Sequence, residues 1–149
     1  MKLWIDDIRP SPKGYVRCKT VDQVITILEA AIEWQNGHED VAYSLLLFAQ
    51  SIGANFPMLC NSNQMDFCIE ELNLDYDAGF YVKHGGQYIN ILYWMEEHKV
   101  NIPVKIHSIN PIGRKRMTKI AKRNGWLIDI NKIKNHIQKE GNNYECKQL

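Results

Sequence analysis

Residues 1–7 read Met1-Lys2-Leu3-Trp4-Ile5-Asp6-Asp7, a short apolar run that breaks off into two carboxylates. A run of this kind reads as a buried strand whose carboxyl end delivers charge to a surface. The same reading applies further along. Phe67–Leu74 runs into Asp75-Tyr76-Asp77, and Pro103–Ile106 runs into His107-Ser108. Tyr15–Lys19 and Trp126–Ile130 are shorter candidates, which brings the expected strands to five.

Helical patterns lie between these runs. Thr20 is a good N-cap for a helix over Val21 to Trp34, where Val21, Val24, Ile25, Leu28 and Ile32 recur at helical spacing. A second helix is expected over Glu39 to Ile52, with Val41, Leu45, Phe48 and Ile52 on its apolar face. Others are expected over Gln87 to Lys99, with Ile91, Leu92, Trp94 and Met95 inward, over the basic stretch Arg114 to Asn124, and over Asn131 to Gln138. Strands alternating with helices predict an α/β domain, an open five-stranded parallel sheet with helices on both faces. The expected organisation is a single domain over residues 1–140, with an insert over about 36–65 before the third strand and a polar tail over 141–149.

The 149 residues suffice for one domain with a proper core. A net charge of +1 supplies no global field toward nucleic acid or membrane, so any polyanion site must be local. Acid arrives too early for a signal peptide, and no apolar run is long enough to cross a bilayer. Cys18, Cys60, Cys68 and Cys146 form no CxxC pair, so a reduced, cytoplasmic chain is expected.

Ligands of open α/β sheets bind outside the carboxyl ends of the strands. That rule selects Asp6, Asp7, Asp75, Asp77, His107 and Ser108. Carboxylates gathered at one point repel unless a cation or shared proton offsets them. Hard oxygen ligands suit Mg²⁺ or another divalent cation, commonly completed by a substrate phosphate. His107, Ser108 and Arg114 would meet that phosphate from another side, and backbone N–H groups of Asn110–Gly113 would seat it. Histidine can serve as acid or base near neutral pH. Taken singly, each acidic pair is more often a solvated loop end or a helix N-cap. The basic stretch Arg114-Lys115-Arg116, Lys119, Lys122-Arg123 is by default a solvated helix face; an RNA- or phosphate-facing patch is its sharper reading.

Three segments carry a family resemblance: Leu3-Trp4-Ile5-Asp6-Asp7-Ile8-Arg9-Pro10 with Pro12 and Gly14; Leu74-Asp75-Tyr76-Asp77 with Gly79; and His107-Ser108-Ile109-Asn110-Pro111-Ile112-Gly113-Arg114 with Met117. Together they resemble the cyclic-phosphate-processing receiver-like family. The resemblance implies a receiver-like (flavodoxin-like) fold and processing of cyclic phosphates such as RNA 2′,3′-cyclic ends or related nucleotides. It places Asp6 and Asp7, with Asp75 and Asp77, around a divalent metal. His107, Asp75 and Asp7 become the catalytic candidates, and Arg9, Ser108, Asn110, Arg114, His84 and Tyr76 the substrate contacts. Tyr76 stands where the family usually has histidine. Tyrosine is a poor base at pH 7, and His84 in the following loop is a candidate substitute.

The leading expectation is a metal-assisted phosphoesterase acting on a cyclic nucleotide or an RNA cyclic-phosphate end. The alternatives are a receiver phosphorylated on Asp75, weakened by the absence of a Lys-Pro pair in Trp126–Lys132, and a non-catalytic nucleotide- or protein-binding domain. A protein partner or self-association would use the 36–65 insert, and no membrane partner is expected.

Overall fold

The structure is a computed structural model and describes residues 1–55 and 67–127. Four strands form one parallel sheet: β1 (Lys2–Ile5), β2 (Tyr15–Cys18), β3 (Glu71–Leu74) and β4 (Val104–Ile106), in the order β2-β1-β3-β4. Register is set across the centre by Trp4↔Arg17 and Trp4↔Asn73. This is the strand order of flavodoxin-like sheets. The expected fifth strand reduces, among the described residues, to a parallel bridge between Val104 and Leu127, with the Val104 N–H donating to the Trp126 carbonyl at 2.7 Å. That bridge stands where a fifth strand would pair. Residues 128–130, the expected last helix and the polar tail lie outside the described residues.

Among the described residues, four α-helices connect the strands: α1 (Val21–Gln35), α2 (Glu39–Ser51), α3 (Ile89–Glu97) and α4 (Pro111–Arg123). The chain moves across the sheet in one direction from β2 to β3, β4 and the Leu127 bridge. Right-handed crossovers therefore lay α1, α3 and α4 on the same face, and α3 packs against both α1 and α4. The one step in the opposite direction, β1 to β2, is a loop over residues 6–14 with no helix. Among the described residues the helices cover one face; the expected last helix, over 131–138, lies outside them.

The two faces of the sheet differ accordingly. Leu3, Ile5, Val16, Cys18, Leu72, Leu74 and Val104 point into the helical layer and are buried. Alternation turns Trp4, Tyr15, Arg17, Glu71, Asn73 and Lys105 to the other face. There Glu71 joins the Lys105 ammonium at 2.8 Å and accepts from the Tyr15 hydroxyl.

Helix α1 begins with a capping box in which Thr20 and Gln23 satisfy each other's backbone N–H groups. It buries more of its surface than one apolar stripe, because α2 packs on it from outside. Helix α2 buries Ala42, Leu46 and Ala49, whereas Val41 and Phe48 are exposed. The buried face is therefore turned by about a quarter of the circumference from the one expected. In α3, Ile91, Leu92 and Met95 are buried as expected, and Trp94 stacks on His98. Cys18 is a buried free thiol.

Candidate functional site

The strand ends converge as the topology requires, but alternation divides them. Asp6, Asp75 and His107 continue the face of the sheet opposite α1, α3 and α4. Asp7, Tyr76 and Ser108 turn toward the helical side.

On the side opposite α1, α3 and α4, one ligand atom from each of Asp6, Asp75 and His107 lies within 4.8 Å of the others. Asp6 is fully buried and correspondingly well bonded. Its Oδ1 accepts from the backbone N–H groups of Ile8 (2.9 Å) and Arg9 (2.5 Å), and its Oδ2 from Arg9 Nε (2.6 Å). The other arm of the Arg9 guanidinium reaches Asp75 Oδ2, and Nη1 reaches the His107 carbonyl at 3.3 Å. Arg9 thus bridges two of the four acids, and it does so because residues 6–9 fold back over the end of β1.

Burial pushes the Asp75 carboxyl up, but hydrogen bonds from Ser108, the Tyr76 N–H and Arg9 outweigh it and hold the group below its ordinary value. Asp7 makes no ion pair among the described residues. Burial raises its pKa, and the neighbouring charges of Asp6 and Asp75 add to the rise despite Arg9. Asp7 therefore takes up a proton more readily than an ordinary aspartate.

The His107 ring stacks flat on Trp4, with centroids 3.9 Å apart and planes at 3°. Its Nδ1 lies 2.6 Å from Asn73 Oδ1 and its Nε2 3.1 Å from Asp6 Oδ2. A neutral ring can donate to only one of these oxygens, a protonated ring to both. Burial and Arg9 oppose the positive charge that Asp6 favours, and the net direction of the pKa is downward. Asn73 and Trp4, which the sequence reading did not select, thus set the orientation of His107. Their signal was available in the alternation of β1 and β3, which puts both on the face that carries His107.

On the helical side, the Asn110 side chain caps α4 by accepting from the Gly113 N–H at 3.0 Å and donates to Asp77 at 3.2 Å. Asp77 is therefore held to the cap, apart from the Asp6–Asp75–His107 group, so the four expected metal ligands do not form one set. The expected phosphate seat is also smaller. Pro111 has no N–H, Gly113 is spent on the cap, and the Arg114 N–H donates to the Asn110 carbonyl at 2.8 Å. Tyr76 lies against Gly113, where a Cβ would overlap its ring, and its hydroxyl accepts from Arg116 at 3.2 Å. Gly79 lies as closely against the Asp7 carboxylate. Arg114 is exposed on α4, with no side-chain bond to the cluster among the described residues. His84 is exposed, and its backbone is tied to Asp22 at the start of α1.

The donor set fits a divalent cation in charge and atom type, on one condition. Arg9 already occupies the oxygens of Asp6 and Asp75 that face each other, so an ion there would compete with the guanidinium.

The fold and this site define a receiver-like α/β domain with an acidic, histidine-bearing centre at its strand ends. Residues 46–123, more than half of the chain, match the family model described as the cyclic-phosphate processing receiver domain, and the chain belongs to that family. The match spans the Asp75-Tyr76-Asp77 and His107–Arg114 segments and begins within α2; Asp6, Asp7 and Arg9 precede it. Comparison with curated proteins gave no match, nor did comparison with solved structures.

Proposed function

We propose that the strand-end cluster binds and hydrolyses a cyclic phosphate carried by a nucleotide or an RNA end. The observation that carries this reading is the convergence of Asp6, Asp75 and His107 within 4.8 Å, bridged by Arg9, in a chain of a cyclic-phosphate processing family. Arg9 retains partial exposure while it spans Asp6 and Asp75. Its guanidinium thus faces the solvent side of the cluster, where a phosphodiester anion would gain a charge-assisted pair. Asp7, with its raised pKa and no ion-pair partner among the described residues, is the group to accept the proton of an attacking water. His107, fixed by Trp4 and Asn73, holds Asp6 and with it the Arg9 anchor. A divalent cation such as Mg²⁺, held by Asp6, Asp75 and His107 in competition with Arg9, would supply polarisation of the phosphoryl group.

A receiver role with phosphorylation at Asp75 is less well supported. Asp75 is only 8% exposed, and both of its carboxylate oxygens accept hydrogen bonds.

The test is hydrolysis of 2′,3′-cyclic nucleotides with Mg²⁺ by wild type, Asp75→Asn and His107→Ala. Loss of a carboxylate or imidazole in such a centre lowers kcat/KM by about 10²-fold or more. Equal rates in all three proteins would refute the assignment.

A further inference from the structure

The face of the sheet opposite α1, α3 and α4 carries a line of polar side chains that leads to the back of His107. It begins at Glu71 on β3, which is only 6% exposed. Glu71 Oε2 pairs with the Lys105 ammonium at 2.8 Å, and its Oε1 accepts from the Tyr15 hydroxyl. Asn73, two residues on and also buried, bonds both Tyr15 and His107. Trp4 meets Tyr15 edge-on, with centroids 6.0 Å apart, and lies flat on His107. One indole thus positions both rings.

The chemistry of each group fixes the direction of the hydrogen bonds along this line. A carboxylate only accepts, so Glu71 takes the single proton of the Tyr15 hydroxyl. The Tyr15 oxygen is left to accept. Burial and the bond to Glu71 push the Tyr15 pKa up, and the Asn73 side chain draws it down. A bond with that effect favours the phenolate, so Asn73 donates it to the oxygen. The amide N–H of Asn73 therefore faces Tyr15, and Asn73 Oδ1 faces His107 Nδ1 at 2.6 Å. An amide oxygen only accepts, so Nδ1 bears the proton.

The competing arrangement puts the ring proton on Nε2 and gives it to Asp6 Oδ2, 3.1 Å away. Asn73 would then have to turn its amide nitrogen to Nδ1 and its oxygen to Tyr15. That oxygen would draw the Tyr15 proton away from buried Glu71. Asp6 Oδ2 already accepts from Arg9 Nε at 2.6 Å, so it is not left without a donor when Nδ1 keeps the proton.

We propose that Lys105, Glu71 and Tyr15 are positioning residues: through Asn73 they keep the His107 proton on Nδ1, so that Nε2 is the atom the ring presents to Asp6, Asp75 and whatever enters between them. This placement of the proton does not depend on the substrate; its value in turnover rests on the reading of the cluster as a cyclic-phosphate site. Partners that fix the far nitrogen of a working histidine contribute about 10–100-fold.

Two-bond proton–nitrogen NMR correlation of the full chain, with isotope-labelled histidine, reads the site of the proton directly. It is recorded at about pH 8, where an ordinary histidine ring is neutral, and His107 is assigned by its absence from His107→Ala. The wild type should show a protonated Nδ1 and a bare Nε2. Tyr15→Phe keeps a ring against Trp4 but removes the oxygen, and its two nitrogen shifts should move toward each other as the Nε2–H form gains. Tyr15→Phe/Asn73→Asp should return them to the wild-type positions, because a carboxylate offers Nδ1 only oxygen. A wild type protonated on Nε2, unaltered His107 shifts in Tyr15→Phe, or a double variant that fails to return would each overturn the proposal. With a 2′,3′-cyclic nucleotide, Tyr15→Phe should also lower kcat/KM about 10-fold. Absence of hydrolysis by the wild type would overturn the cyclic-phosphate reading, while the spectra would still decide where the proton resides.

Discussion

At the residue scale, the site is organised by Arg9 more than by any acid. Its guanidinium and backbone N–H hold Asp6, and its second arm holds Asp75. The depressed pKa of Asp75 has a consequence for stability. A carboxyl whose folded pKa lies below its unfolded one contributes stability above the unfolded value, and the contribution is lost as pH falls through the folded value. Acid unfolding of the wild type should therefore draw on Asp75 below about pH 4. Asp75→Asn should flatten the pH dependence of the denaturant midpoint in that window; an unchanged slope would count against the Arg9–Asp75–Ser108 arrangement. Gly113 offers a second test. A methyl group there meets the Tyr76 ring, so Gly113→Ala should destabilise by about 1–3 kcal/mol, read as a lower midpoint in urea. The sequence showed that Asp6, Asp75 and His107 would share an edge, because each closes an apolar run. It did not show Arg9 as their bridge, since that depends on residues 6–9 folding back. Nor did it separate Asp6 from Asp7: both follow Ile5, and only the alternation of side chains sends them to opposite sides.

At the scale of elements, local chemistry was the most legible. The ends of β1 and the start of α1 fall where the pattern and Thr20 place them. Thr20→Ala removes the oxygen that caps the Gln23 N–H at 3.1 Å and should lower stability by about 1 kcal/mol, measured by chemical denaturation. A loss below a few tenths of a kcal/mol would mean that the capping box is replaced by solvent. Helix α2 was legible as a helix but not in its orientation. Its most hydrophobic stripe, Val41, Leu45, Phe48 and Ile52, is not the one it buries. The buried stripe is Ala42, Leu46 and Ala49, and α1 contributes Ala30 and Ala31 to the core. Small side chains let two helices approach closely, and hydrophobicity alone ranks such a face too low. The N-terminus of α4 was likewise read as an open phosphate seat from its loop sequence. The cap formed by Asn110, an interaction within the chain, takes the N–H groups that reading had reserved for a ligand.

At the scale of the whole molecule, the described residues give the sheet one apolar face under helices and one that bears Trp4, Tyr15, Arg17, Glu71, Asn73 and Lys105. The difference follows from the β1–β2 connection, which moves against the other crossovers and carries no helix. Strand and helix alternation predicted the parallel sheet and its carboxyl-edge site, but counting elements could not reveal that the first connection lacks its helix. That second face leads directly into the Asp6–Asp75–His107 cluster through Asn73 and Trp4, so the support of the site is itself polar. The central claim is that this cluster opens a cyclic phosphate with Asp7 as its proton acceptor. Phosphorus NMR of a 2′,3′-cyclic nucleotide incubated with Mg²⁺ and either wild type or Asp7→Asn tests it most directly. The account predicts that the cyclic resonance is replaced by that of a monoester with the wild type, and about 10²-fold more slowly with Asp7→Asn; a cyclic resonance that persists with the wild type, or disappears equally fast with both proteins, would contradict it.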